Sequence, residues 1–353
     1  MKRWVSRFVR GIGAVFGALV CSCSSGSAAV EEVWGGRAQA PVFLACRAVS
    51  AAEITFQFSV PVRVLSMRLD PAGDVQEIQE GELVAARLHT PYPGGARVLA
   101  DLVVEDAQGN TLNVLVPFRA RNDALPSLLI TEIRTEYAKP KVEFVEFKTL
   151  GAGNLGALRL FIAGAGMDAP FFEFPPAPVK AGEYVVVHLR SLDGLWADET
   201  GDDLGAVPYT KDNEAQPEAR DFWIPGSKKH IAKKADAVYL LDQDDRVLDA
   251  LLINEGPGAW GKDAAAQAAE FLGSRGAWLG AAGGLPGPDD AVISRDATAT
   301  RSICRDENAG DSNRAADWYI TATSGASPGR RNSDKRYDPK AAKRRAGGGR
   351  ELY

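Results

Sequence analysis

Cysteine, histidine and methionine are scarce in this chain, with four, three and three residues. No CxxC pair and no Cys/His cluster occurs, which removes the usual zinc frameworks. His89, His188 and His230 fall in no HExxH string and at no spacing that brings two of them onto one face. On these grounds no catalytic residue, metal ligand or cofactor is assigned. No apolar run approaches the ~18 residues of a bilayer-spanning helix, which excludes an integral helical membrane protein. No heptads are sustained, and the 36 glycines and 20 prolines follow no period, so coiled coil and collagen are excluded as well. With 45% hydrophobic and 25% charged residues, the 353-residue chain has a globular composition and room for two or three domains.

What is present begins with an address. Lys2, Arg3, Arg7 and Arg10 precede a short apolar run, Gly11–Val20, and then Cys21, Ser22 and Cys23. A basic start followed by a hydrophobic run too short to span is the pattern of a secretory signal. Cysteine at its end makes the segment resemble a bacterial lipoprotein signal, in which the cysteine carries a diacylglycerol thioether and becomes the first residue after cleavage. Cys23, with Ser22 before it, is the expected lipidation site, and Cys21 is the alternative. The resemblance implies a signal peptide over 1–22, a flexible linker over 23–36, and a protein lipid-anchored at the bacterial cell envelope, facing the periplasm or the outer surface. A plain secreted protein is the other reading. If Cys23 is acylated, Cys46 and Cys304 remain, either as a disulfide that export permits or as two buried free thiols.

The formal charge of −5 hides an asymmetry. Residues 1–22 and residues 333–353 each carry +4, which leaves −13 for residues 23–332. A body this acidic repels phosphate backbones and anionic lipid. The Gly-rich basic tail, 333–353, reads as disordered.

Between these ends the chain reads as β-structure. Ile54, Phe56, Phe58 and Val60 alternate on one face of a strand, and Val62–Leu69 continues after Pro61. Ala96–Glu105 and Thr111–Phe118 flank the turn signal Asp106-Ala107-Gln108-Gly109-Asn110. These runs predict a small Ig-like sandwich over 37–122, closed by the polar connector Arg119–Ser127. The next blocks are Leu128–Ile133, Val142–Phe147, Gly182–Val187, and Ala237–Leu241 with Val247–Leu251 around a turn at Asp242–Arg246. A terminal Ser327-Pro328-Gly329-Arg330-Arg331-Asn332 follows. In this order they resemble the lamin-tail domain, an Ig-like β-sandwich of nuclear lamins and many exported bacterial proteins. The match spans 127–332, with insertions expected at 190–235 and 254–297 and a short helix, Ala264–Leu272, in the second. The predicted fold is therefore all-β, with two Ig-like antiparallel sandwiches. Glu132, Glu143 and Glu146, which alternate with apolar neighbours, are expected on a solvated strand face.

Few strings suggest chemistry. Gly256–Lys262 satisfies GxxxxGK, but Asp263 stands where a phosphate loop has Ser or Thr, and Pro257 removes a backbone donor. The acidic run Asp198–Asp203 departs from a calcium loop at its sixth and twelfth positions. The segment from Phe222 and Trp223 through Lys228, Lys229, Lys233 and Lys234 interleaves aromatics with cations and reads either as a ligand-contacting loop or as an exposed loop whose Phe222 and Trp223 tuck into the sandwich. The reading is a non-catalytic envelope lipoprotein that acts as an anchoring and binding module. Its partners are the membrane, through acyl chains, and an unidentified protein or polysaccharide, while nucleic acid has no support. The alternative is a secreted hydrolase or nuclease whose site is built from the two insertions.

Overall fold

The computed structural model describes residues 40–192, 195–210, 214–281 and 283–340. The signal, Cys21, Cys23, the linker and residues 341–353 of the tail lie outside them. Six strands come first: β1 (Phe43–Ser50), β2 (Glu53–Asp70), β3 (Val75–Gln79), β4 (Gly81–Leu88), β5 (Arg97–Asp106) and β6 (Thr111–Arg119). They join in the antiparallel order β3-β4-β2-β5-β6, with β1 also paired to β2. The long strand β2 serves both halves of this unit. Glu53–Gln57 pairs with β1 and β4, whereas Val62–Asp70 pairs with β5. Pro61 is exposed at the handover, where a residue without an N–H removes nothing from either ladder. Alternate residues, Ile54, Phe56 and Phe58 of β2, Val84 and Ala86 of β4, and Val98 to Val104 of β5, build one core. Each large side chain buried there contributes roughly 1.5–3 kcal/mol.

A second core belongs to the strands that follow. These are β7 (Leu128–Arg134), β8 (Phe144–Thr149), β9 (Gly153–Asn154), β10 (Arg159–Ile162), β11 (Phe172–Glu173), β12 (Pro178–Val179) and β13 (Tyr184–His188). Next come β14 (Arg220–Trp223), β15 (Ala235–Leu241), β16 (Val247–Asn254), helix α1 (Asp263–Ser274), β17 (Val292–Ile293), β18 (Ile303–Arg305) and β19 (Trp318–Ile320). One sheet runs β14-β13-β8-β7-β18-β19 and the other β11-β10-β15-β16-β17. Ile130, Ile133, Val145, Phe147 and Val185 of the first share a core with Leu160, Ile162, Val238, Leu251 and Ile253 of the second. The fold is an all-β sandwich with one short helix, as the alternation predicts. Helix α1 joins the core through Ala268, Ala269 and Leu272, with Phe271 5.4 Å from the Tyr239 ring.

Two edges depart from an antiparallel sandwich. β14 joins β13 in parallel, and β17 joins β16 in parallel. A parallel pair needs a long crossover. Residues 189–219 supply one and residues 255–291, which contain α1, supply the other.

The glutamates correct the solvated-face expectation, because Glu132, Glu143 and Glu146 are all 0% exposed. Glu132 and Glu146 are direct cross-strand partners beside a register shift, and Thr131 at that shift donates its hydroxyl to Glu146 Oε1 at 2.6 Å. The covering chain is the C-terminal segment. Ser327 donates its N–H and its hydroxyl to Glu132, and Gly329 N–H donates to Glu146 Oε2 at 2.6 Å. Asn332 Nδ2 donates to the carbonyls of Thr131 and Arg305, and Ser302 Oγ donates to Glu132. Burial pushes both carboxyls above the usual range, and the Glu132 charge adds to the rise at Glu146. Across the sandwich, Arg305 bonds both Asp249 oxygens, at 2.8 and 2.7 Å, which ties β18 to β16.

The cysteines follow the second of their two readings. Cys46, half-buried in the first unit, and Cys304, buried in the second, are both free. Cys46 packs against the first core and Cys304 lies on β18 beside Ser302, so no bond joins them. Between the cores, Arg121 forks onto Asp244 at 3.0 and 2.6 Å, and Asn122 bonds Gln243, Asn154 and Gly156. Gly95 holds φ +78° there, where an added Cβ would lie 2.4 Å from Ala157 N, so only glycine allows that approach.

Candidate functional site

The loop that joins β14 to β15 carries the expected cations and is held on several sides. Ile231 is fully buried in the core. Asp236 takes the N–H groups of Ala232 and Gly164 at 2.7 Å each, and burial pushes its carboxyl up to about 6. Arg190 bonds Glu143 and the Ser227 carbonyl, and Gly226 N–H donates to Ser191 Oγ at 3.0 Å. Farther along, the Lys233 carbonyl accepts Ser294 Oγ–H and the Lys234 carbonyl accepts Glu255 N–H at 2.7 Å. The backbone presenting the lysines is therefore fixed before any ligand arrives, which removes an ordering cost from binding.

A cleft of about 470 Å3 opens beside this loop, lined by Lys229, His230, Lys233 and Lys234 together with Lys262 and Glu136. A second lobe of about 540 Å3 shares Lys234 and Glu255 with the first and adds Arg295. Lys229 is paired, 2.6 Å from Glu136. Lys233, Lys234 and Lys262 have no carboxylate within ion-pair distance among the described residues. Burial, helped by Arg190 and Lys228, lowers the His230 pKa, and its ring packs 4.7 Å from that of Phe171.

Of the expected loop residues, Lys229, Lys233 and Lys234 line the cleft, whereas Lys228 is exposed on the same loop outside its lining. Phe222 and Trp223 follow the other of the two readings and tuck into the sandwich. Phe222 is fully buried, 5.3 Å from Phe174, and Trp223 stacks on His188 at 4.0 Å with its indole N–H on the Ala197 carbonyl. Both are residues of the edge strand β14, whose two faces are covered, so neither reaches a ligand. Lys262 and Arg295 were not anticipated as site residues, although Lys262 is the lysine of the GxxxxGK string.

That string is a poor phosphate cradle. Gly258 N–H donates to Asp289 Oδ1 at 2.8 Å and Gly261 N–H donates to Asn254 Oδ1 at 3.2 Å, so two of its donors are spent within the protein. The acidic run is likewise occupied. Glu199 accepts the N–H groups of Gly205, Ala206 and Asp221, and Asp198 accepts that of Trp223. Among the described residues, no group of three or more His, Cys, Asp or Glu is placed to hold a metal ion. His188 Nε2 lies 2.8 Å from Asp221 Oδ1, both buried, and it lines neither lobe of the cleft that His230 borders. Gly325-Ala326-Ser327-Pro328-Gly329 satisfies GxSxG. Ser327 is buried with its hydroxyl on Glu132, in irregular chain rather than a strand-to-helix turn, so it is a structural donor and not an exposed nucleophile. The cleft of about 530 Å3 at the junction of the two cores holds four arginines, of which Arg119, Arg121 and Arg159 already face Glu173, Asp244 and Asp245.

Comparison with known proteins places the second unit. An uncharacterized protein of Treponema pallidum (strain Nichols) is 27% identical over 243 residues, which cover 66% of this chain and 60% of that relative. The chain thus spans about 60% of the length of the curated relative it matches. Among solved structures, a DUF4876 family protein from Bacteroides thetaiotaomicron VPI-5482 aligns with 12% identity and a TM-score of 0.29, over 74% of this chain and 90% of its own. L,D-transpeptidase 3 from Mycobacterium tuberculosis aligns with 11% identity and a TM-score of 0.17, over 54% and 91%. The lamin-tail expectation is corrected by the family match, because the segment that carried it, residues 126–320, fits a different family model, described as a protein second domain. Short alternating blocks that end in turns recur in many sandwiches, which is why their order misled. The chain belongs to the TP_1001_2nd family.

Proposed function

We propose that this chain is an exported, lipid-anchored binding module of the bacterial cell envelope that acts without catalysis and holds an anionic partner in the lysine cleft. One observation carries the reading: Lys233, Lys234 and Lys262, from two separate segments, converge on one cleft with no carboxylate in ion-pair distance among the described residues, on a body whose net charge, these lysines included, is −13. Unpaired like charges in a concavity repel one another and concentrate counter-ions, so the arrangement favours an anion arriving from solution. The titratable pair nearest to an enzyme-like arrangement, His188 and Asp221, is buried away from that cleft. Anchoring is supported by the basic and apolar run that ends in Cys23.

Two measurements test the proposal. The intact mass of the mature protein from a lipoprotein-competent bacterium should match cleavage before Cys23 plus acyl chains, and Cys23→Ala should abolish the modification. An unacylated product would overturn the anchor. Washed envelopes should retain the wild-type chain in a salt-sensitive way and release Lys233→Ala/Lys234→Ala/Lys262→Ala. Equal retention of the two would overturn the cleft as the binding face.

A further inference from the structure

The two lobes of the cleft form one groove, since Lys234 and Glu255 border both. Cations occur along its whole length: Lys229, Lys233 and Lys262 in one lobe, Lys234 at the junction, and Arg295 in the other. At about 470 and 540 Å3 the lobes exceed what a single small ion fills, which leaves room for an elongated occupant with more than one negative group. Four of the five cations are lysines. An ammonium offers three rotatable donors with no planar fork, and so accepts a tetrahedral oxyanion from any direction, whereas bidentate carboxylate recognition is the strength of arginine. Carboxylates interrupt the row, Glu136 in the first lobe and Glu255 at the junction. They repel a ligand charged at every step and accept hydrogen bonds from one that carries hydroxyls between its charges.

Among the described residues that line this groove, no Phe, Tyr or Trp offers a platform for base stacking. Phe222 and Trp223 are buried, and the His230 ring is packed against Phe171. Sequence-tolerant binding of single-stranded nucleic acid relies on aromatic faces, so the backbone charge of such a strand would meet the interrupting carboxylates with no compensating stack.

From these features we infer that the groove binds a polysaccharide bearing phosphate or sulfate groups, its oxyanions on Lys233, Lys234 and Lys262 and its intervening hydroxyls on Glu255 and Glu136. The inference rests on the reading of the cleft as an anion site and adds the ligand class.

The test is fluorescence anisotropy of the full-length chain with short labelled dextran sulfate. Neutral dextran, polygalacturonate, oligo(dT) and phosphatidylglycerol vesicles serve as competitors. Dextran sulfate should bind in a salt-sensitive way and be displaced poorly by all four. Each single lysine-to-alanine change should weaken it about 3-fold, the magnitude of an exposed ion pair, and the triple variant about 30-fold, additively for independent charges. Lys180→Ala, an exposed lysine elsewhere, should leave binding unchanged. Because the mutated side chains are solvent-facing, an unchanged melting curve verifies folding. Should dextran sulfate not bind, or bind the triple variant as tightly as wild type, the anion-site reading falls and this inference with it. Should polygalacturonate, oligo(dT) or the vesicles bind as tightly through the same three lysines, the anion site stands and the phosphorylated or sulfated glycan is refuted.

Discussion

Arg305→Met is the sharpest probe of how the second sandwich is held together. The Arg305 side chain is 4% exposed and makes four kinds of contact at once. It bonds both Asp249 oxygens, donates Nε–H to the Ile130 carbonyl at 2.8 Å, pairs with Asp311 at 2.6 Å, and lies over the Trp318 ring at 4.5 Å. Methionine keeps most of the volume against Trp318 and removes the charge. Asp249 is then a buried carboxylate with the N–H groups of Ile130 and Ala250 and no cation. Breaking a buried pair from one side costs about 3–5 kcal/mol, which for a unit of this size lowers Tm by roughly 6–20 °C. The cost depends on pH. Burial pushes the Asp249 carboxyl up to about 6 even with Arg305 beside it. A carboxyl raised above its unfolded value stabilises the fold fully below that value, near 4, and the contribution is lost as pH rises through about 6. Near pH 5 the wild-type group already holds its proton, so the variant there loses mainly the hydrogen bonds to Ile130 and Asp311, about 1–3 kcal/mol. Denaturant unfolding at about pH 5 and pH 8 measures both limbs. Arg305→Met/Asp249→Asn should recover most of the loss at the higher pH. A loss below ~1 kcal/mol at pH 8, or an equal loss at the two pH values, would refute the buried-pair account.

Further outcomes follow from the same framework. Glu146→Gln keeps its donors, since the amide oxygen can take Gly329 N–H while its NH2 faces the Thr131 hydroxyl. Wild-type stability should fall as pH rises through the raised Glu146 value, and the variant should lack that fall and be at least as stable as wild type in alkaline buffer; a destabilised variant there would count against the shared-carboxylate account. Ser327→Ala removes the hydroxyl donor to buried Glu132 at 3.0 Å and should cost about 1–3 kcal/mol in chemical denaturation, a change within error contradicting the latch. Burial raises the Cys304 thiol well above its usual range and pushes Cys46 up to about 11, so both should resist iodoacetamide in the native protein at neutral pH. In denaturant without reductant both should alkylate, and peptide mapping that found them linked would overturn the free-thiol assignment.

The all-β class was legible because alternation is a local property. Ile54, Phe56 and Phe58 announce their face within five residues, and the turn at Asp106–Asn110 carries its own chemistry, with Asp106 Oδ1 accepting the N–H groups of Gln108 and Asn110. What local period could not carry was the covering of a second face. Glu132 and Glu146 alternate as surface residues do, yet Ser327 and Gly329, more than 180 residues away, lie over them. A period of two says which residues share a face, not whether a distant segment later closes on it. Phe222 and Trp223 stayed open for a related reason. Beside four lysines they read as stacking aromatics or as sandwich core, and what decides for the core is that they end a four-residue strand whose parallel partner, β13, precedes it by a long crossover. Two of the five cations of the groove were equally hidden, since Lys262 and Arg295 join the lysine loop only through β15, β16 and β17.

Those crossovers also explain where the candidate site lies. In a plain antiparallel sandwich, short turns join the strands and leave little chain to shape a concavity. Here the first crossover ends in β14, and the loop of Lys229, Lys233 and Lys234 follows it. The second leaves β16, passes Lys262 at the start of α1, and returns through β17 to Arg295. Each crossover leads into a parallel edge strand, which fixes its end in the sheet, and each brings cations to the same groove. Buried pairs such as Asp249 with Arg305, and the carboxylates under Ser327, make the sandwich a fixed support. Exposed Lys234 and Lys262 and half-buried Lys233, with no ion-pair partner among the described residues, project from segments whose other residues, such as Ile231 and Leu272, are anchored in the core. Loss of those lysines should therefore change binding while leaving stability within ~0.5 kcal/mol, whereas loss of Arg305 should change stability first. That separation distinguishes a rigid binding module from a site whose residues also hold the fold together.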